Sequence, residues 1–191
     1  MAKRIFIVHG WEGSPKSDWF PWLKFELEKR KFIAEVLAMP DSDAPVMGSW
    51  VGFLKKKIKK ADEETYFVGH SIGCQAILRY LESLPKNIKV GGCVFAAGWF
   101  SLKGLESEEE WEIAKPWIET KIDFEKVKKH TKKFVAIFSD NDPWVPIENK
   151  KVFVDELNAK IFIEKGKEHF HGAAGVTELP IVLKEILKMI K

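Results

Sequence analysis

Along the chain, short runs of β-branched and aromatic residues alternate with stretches whose apolar positions recur every three to four residues. The runs fall at about 4–8, 33–38, 65–68, 90–96, 134–139 and 160–164. Between them the periodicity predicts helices over about 19–30, 48–61, 73–84, 105–119, 147–157 and 178–190, with a short turn near 123–130. Such short runs, bounded by turn residues, read as buried strands. Their alternation with helices calls for a mainly parallel sheet of about six strands with helices on both faces. Right-handed crossovers bring every strand C-terminus to one edge, where open α/β sheets bind ligands. No repeat, low-complexity segment or linker interrupts the pattern, so residues 1–191 are expected to form a single domain. Residues 98–123 exceed what a crossover needs and carry Trp99, Phe100, Leu105, Trp111, Pro116 and Trp117 among acidic residues. They read equally as a small cap over the sheet edge and as an ordinary amphipathic crossover helix.

Composition narrows the class. With 46% hydrophobic and 31% charged residues in 191, the chain is expected to be a soluble globular protein with a core of its own. No apolar run approaches the ~18 residues of a membrane span, and Ile5-Phe6-Ile7-Val8 after Lys3-Arg4 is too short for a signal-peptide core. Cys74 and Cys93 suggest reduced, buried thiols and a cytoplasmic protein rather than a disulfide framework. The run Lys55-Lys56-Lys57-Ile58-Lys59-Lys60 invites a nucleic-acid reading. However, Trp50, Phe53, Leu54, Ile58 and Ala61 form a helical apolar face that leaves the lysines on the solvated side. The net charge is only +3, so no nucleic-acid partner is expected.

Candidate chemistry centres on Gly69-His70-Ser71-Ile72-Gly73. This G-x-S-x-G pentapeptide occurs by chance in roughly one chain in twenty of this length, so its context decides. Thr65-Tyr66-Phe67-Val68 leads in as a strand, and Ala76, Ile77, Tyr80, Leu81 and Leu84 lead out as a helical face. Strand, sharp turn and helix make a nucleophile elbow, which presents a serine hydroxyl at the top of a sheet. Partners should follow in the order acid, then histidine. Asp140 and Asp142 follow the run 134–139, and His169 and His171 follow the run 160–164. Asp140 lies nearer the strand end and suits a turn-capping role. His9 reads as a hydrogen-bonder shaping its loop, His70 as a neighbour of the site, and His130, set among lysines, as solvated. Glu168, His169 and His171 have the donor types of a zinc site, but that reading would leave the elbow and the aspartate without a role, so no metal is expected.

The chain resembles the small α/β-hydrolases of the YdeN type, the group that includes retinoblastoma-binding protein 9. The resemblance rests on several segments spread nearly end to end: His9-Gly10 with Trp19-x-x-Trp22-Leu23, Met39-Pro40-Asp41 with Trp50, the elbow running on through Cys74-x-Ala76-Ile77-Leu78-Arg79, Asp140-x-Asp142-Pro143 with Val145-Pro146, His169-Phe170, and Leu179-Pro180-Ile181-Val182. It implies a compact α/β-hydrolase fold without the first strands of larger members, serine hydrolase activity and no cofactor. The family's Asp followed by Val-Pro singles out Asp142, giving a triad of Ser71, Asp142 and His169. Backbone N–H groups of Trp11 and Ile72 would form the oxyanion hole, and Gly10, Trp99 and Trp144 would contact substrate. Trp11, Trp99, Trp111, Trp117 and Trp144 are all expected near the catalytic edge, where their bulk favours short acyl groups. Two departures stand out. Glu168 replaces the glycine usual before the histidine, and no L-x-C-x-E segment is present, so binding of the retinoblastoma protein is not expected. The leading function is a carboxylesterase acting on small esters or thioesters. An amidase or peptidase using the same triad, and an interaction module with residual activity, are the alternatives.

Overall fold

The computed structural model describes residues 2–191. Six strands, β1 (Arg4–Val8), β2 (Ile33–Leu37), β3 (Thr65–His70), β4 (Gly92–Ala96), β5 (Phe134–Ser139) and β6 (Lys160–Glu164), form one sheet in the order β2-β1-β3-β4-β5-β6. All five pairings are parallel. Every residue of β3, β4 and β5 is buried, as expected of central strands covered on both faces, whereas edge strand β6 is partly exposed.

The helices are α1 (Phe20–Glu28), α2 (Met47–Lys57), α3 (Ile72–Glu82), α4 (Glu108–Glu119), α5 (Phe124–Val127), α6 (Asn149–Leu157) and α7 (Pro180–Ile190). Helices α1 and α7 pack together on one face, while α2, α3 and α5 pack together on the other. From α6, Phe153 reaches the second group near Cys74 of α3. The winding direction reverses between neighbouring strands β1 and β3, because β1 leads outward to β2 and β3 leads the other way to β4. The loops after β1 and β3 therefore open a crevice at this switch point.

Tryptophans fix the upper rim of the sheet. Trp50 and Trp117 are buried and meet edge to face at 6.0 Å. Their indoles donate to the carbonyls of Pro40 at 2.8 Å and Pro45 at 3.0 Å, and that of Trp11 donates to Asp43 at 2.8 Å. The loop after β2 is thus pinned at three carbonyls by polar tips on apolar bodies. His9 completes it: Nε2 accepts from the Met39 amide at 3.1 Å, so Nδ1 carries the proton and donates to Gly10 O at 2.8 Å.

Several boundaries differ from the periodicity. Helix α2 ends at Lys57 because Ile58 leaves helical backbone. Helix α4 starts at Glu108 because Ser107 and Glu110 close a reciprocal capping box there. His130 is not solvated: it is buried, with Nδ1 donating to Ile88 O at 2.8 Å. Lys129, Lys132 and Lys133 beside it are exposed, but its own ring fills the turn between α5 and β5. Lysines 55–57 lie in the last turn of α2, where cations suit the helix dipole, and Lys57 pairs with Glu35 at 3.0 Å. Among the described residues, no helix is long and apolar enough to cross a membrane.

Candidate active site

Ser71 stands between β3 and α3 with φ 53° and ψ −126°, a backbone region that L-residues rarely enter and that costs on the order of 1–3 kcal/mol. The two elbow glycines allow the crossing that enforces it. A Cβ on Gly69 would lie 2.9 Å from Cys74 Cα, and one on Gly73 would lie 2.5 Å from the carbonyl oxygens of Val8 and His9. Strand β1, the elbow and α3 thus meet at backbone contact. The serine is held at the N-terminus of α3, at its positive end.

The histidine loop is tied to the aspartate loop residue by residue. Ser139 Oγ accepts from the Lys167 amide at 3.0 Å, Asp140 Oδ1 from Gly166 at 2.8 Å, and Asn141 Oδ1 from Glu168 at 2.9 Å. Asp142 then bonds the His169 ring, Nδ1 to Oδ2, at 2.8 Å. Four consecutive side chains, from the last residue of β5 onward, hold four consecutive residues after β6. The serine and asparagine in this set escaped sequence reading; their one signal was the polar run Ser139-Asp140-Asn141-Asp142 itself. Glu168 and Phe170 flank the histidine in left-handed backbone, at φ 45° and 56°, and Phe170 is fully buried as the anchor.

Asp142 is buried, and its other oxygen accepts from the amides of Trp144 and Val145, both at 2.9 Å. Burial pushes its carboxyl upward, but the His169 ring and those two amides outweigh it, so the group sits below the ordinary carboxylate range. The carboxylate therefore stays ionised, fixing the proton on His169 Nδ1 and leaving Nε2 bare.

Ser71 and His169 line one cavity of about 410 Å³ together with Gly10, Trp11, Trp99 and Trp144. A wider depression of about 930 Å³ lies at the opposite end of the strands, around Lys3 and His130, away from these groups. Among the described residues no hydrogen bond joins Ser71 Oγ to His169; the hydroxyl accepts instead from the Trp99 indole at 3.3 Å. The backbone amides of Trp11 and Ile72 have no partner among the described residues. Leu102, Leu105, Glu106 and Glu110, from the loop before α4 and its first turn, form another wall. Trp111 and Trp117 do not line the cavity: Trp111 projects from α4, partly exposed, and Trp117 is buried between α2 and α3.

The remaining candidates resolve simply. Glu168 faces His171 at 3.5 Å rather than His169, and His171 Nδ1 accepts from the Ala174 amide at 3.1 Å, capping a turn at Gly172–Ala174. Glu168, His169 and His171 therefore do not converge on one point. Cys74 and Cys93 are buried free thiols, with burial raising both well above the ordinary thiol range.

The model of a family described as serine hydrolase matches residues 5–188. The Bacillus subtilis protein YdeN, described as a hydrolase, is 33% identical over 183 residues, covering 95% of this chain and 93% of its own. Its crystal structure superposes with a TM-score of 0.90 at 30% identity over 99% of both chains. The serine hydrolase RBBP9 of Rattus norvegicus is 27% identical over 171 residues, 88% of this chain and 86% of its own. Est1E from Butyrivibrio proteoclasticus shares the fold, with a TM-score of 0.72 at 18% identity over 99% of this chain and 88% of that one.

Proposed function

This chain belongs to the serine hydrolase family, with the fold of the α/β-hydrolases, and from that premise we propose that it is a carboxylesterase-type enzyme acting on small esters or thioesters. The observation that carries the reading is the meeting of a strained serine and an aspartate-bound histidine across one cavity.

In this reading Ser71 Oγ attacks the substrate carbonyl while His169 Nε2 takes its proton. Asp142 keeps the imidazole in the needed tautomer and stabilises the imidazolium. The contact between Ser71 and His169 tightens once substrate enters, as hydrogen bonds of resting active sites commonly do. The unpaired amides of Trp11 and Ile72 receive the oxyanion, the leaving alcohol or thiol takes the proton from His169, and water then releases the acyl group. Gly10, Trp99 and Trp144 contact substrate. The segment from about 98 to 123 is a small cap at its start, where Leu102 and Leu105 reach the cavity, and a crossover helix thereafter. No cofactor enters any step.

A fluorophosphonate probe tests the reading, because only an activated serine labels quickly. Labelling is expected at Ser71, located by peptide mass, together with hydrolysis of p-nitrophenyl acetate that Ser71→Ala lowers by on the order of 10⁶ in kcat. An unlabelled Ser71, or full esterase activity in Ser71→Ala, would sink it. A matched anilide run beside the ester separates esterase from amidase.

A further inference from the structure

An indole N–H points at the serine oxygen. Trp99 Nε1 lies 3.3 Å from Ser71 Oγ, and the tryptophan is 1% exposed. Indole nitrogen only donates, so Oγ is the acceptor and its own proton remains free for another partner. The main chain that carries the ring is braced from the helix that the serine begins. Gln75, one turn into α3, donates Nε2 to the Trp99 carbonyl at 3.1 Å, and its Oε1 accepts from Arg79 Nη2, a further turn on, at 3.0 Å. Arg79 Nη2 in turn reaches the carbonyls of Trp117 at 2.9 Å and Thr120 at 2.7 Å at the end of α4. Bulk alone would line a pocket without this bracing; a donor that must keep its aim needs it.

We propose that Trp99 is a catalytic hydrogen-bond donor to Oγ itself, distinct from the oxyanion donors, and that it acts chiefly in releasing the acyl group. The proposal rests on the reading of Ser71 as nucleophile. In acylation, Oγ gathers negative charge as its proton moves to His169 Nε2, but it starts from a hydroxyl that already accepts the indole bond, so the donor speeds this step less. In deacylation, water adds to the acyl carbon and gives its proton to His169. The C–Oγ bond then breaks, the electron pair goes to Oγ, and the imidazolium returns the proton there. Across that sequence Oγ changes from an ester oxygen, a weak acceptor, to an oxygen gathering negative charge. A fixed donor stabilises that transition state more than the acyl-enzyme before it.

Trp99→Phe assayed on p-nitrophenyl acetate, with stopped-flow bursts and intact mass, tests this. Because kcat/KM reports acylation and kcat reports deacylation where that step limits, a split is expected. The kcat should fall about tenfold or more, in line with a hydrogen bond to a charged group. The kcat/KM should stay within about threefold, KM should drop in step, and acyl-enzyme should accumulate on Ser71. Phenylalanine leaves a gap in a buried site, so a second protein carries 3-benzothienylalanine at position 99, which keeps the two-ring shape without the N–H. It should show the same split with an unchanged melting temperature. Wild-type kcat in the benzothienyl protein, or an equal fall of kcat and kcat/KM in both variants, would overturn the proposal. Full activity in Ser71→Ala would instead overturn the nucleophile assignment beneath it.

Discussion

His70 Nε2 donates to the backbone carbonyl of His169 at 2.7 Å, so the residue before the serine braces the residue that faces it across the cavity. The two rings lie 5.0 Å apart. A carbonyl only accepts, so Nε2 carries the proton, and Nδ1 is left buried without a partner among the described residues. Burial first, and the nearby His169 ring second, hold the His70 pKa down to about 3.

That pairing predicts acid lability with a defined window. In the unfolded chain His70 protonates below about 6.5, whereas in the fold it stays neutral until about 3. Between these values unfolding takes up a proton. The stabilisation is complete above about pH 6.5 and is lost as pH falls towards 3, by about 1.4 kcal/mol per pH unit. His9, also lowered by burial, acts in the same sense, while Asp142, held low, contributes only below about pH 4. His70→Gln keeps a donor and removes the titration. Urea unfolding between about pH 4 and 6 should show a slope shallower by about 1.4 kcal/mol per unit, and an unchanged slope would contradict the assignment.

The two aspartates after β5 should separate in rate. Asp142→Asn is expected to cost about 10⁴ in kcat by spoiling the His169 tautomer. Asp140→Asn retains the Oδ1 acceptor that holds Gly166 and should cost far less. Likewise His169→Ala should be inactive. His171→Ala should remain active and lose about 1 kcal/mol of stability with the hydrogen bond to Ala174. Ester kinetics and melting curves on the four proteins check this, and a reversed order within either pair refutes it.

Gly73→Ala should damage the fold rather than the chemistry alone. Its Cβ would sit 2.5 Å from two carbonyl oxygens at the end of β1, and both belong to backbone that cannot move aside without parting β1 from β3. A loss of about 3 kcal/mol or more is expected, measured by denaturant titration. A loss below about 0.5 kcal/mol would mean that helix and strand can separate at little cost.

Acyl preference follows from the cavity walls. Trp11, Trp99 and Trp144 with Leu102 and Leu105 bound about 410 Å³. Each methylene that fits contributes about 0.8 kcal/mol, while one that clashes costs more than it gains. Across p-nitrophenyl esters from acetate to palmitate, kcat/KM should peak at short chains and fall steeply, with no activation at lipid–water interfaces. A rise towards palmitate would reveal an open acyl channel.

By itself, the sequence determined the strand and helix alternation, the parallel sheet and the elbow. These depend on local periodicity and on glycines whose absence of Cβ is a property of the residue. It also put Ser71, Asp142 and His169 in the order such a site needs, although choosing Asp142 over Asp140 drew on family resemblance; the structure separates them by partner, the His169 ring for one and the Gly166 amide for the other. Tertiary structure alone decided what depends on the approach of distant segments. Which tryptophans wall the cavity, that His130 is buried, that Glu168 turns to His171, and that Ser139 and Asn141 hold the histidine loop are outcomes of packing between elements far apart in the chain. The indole donor on Ser71 belongs to the same class. Residue type makes Trp99 able to donate, but only the meeting of the β4 loop with the start of α3 gives its N–H the serine oxygen as a target.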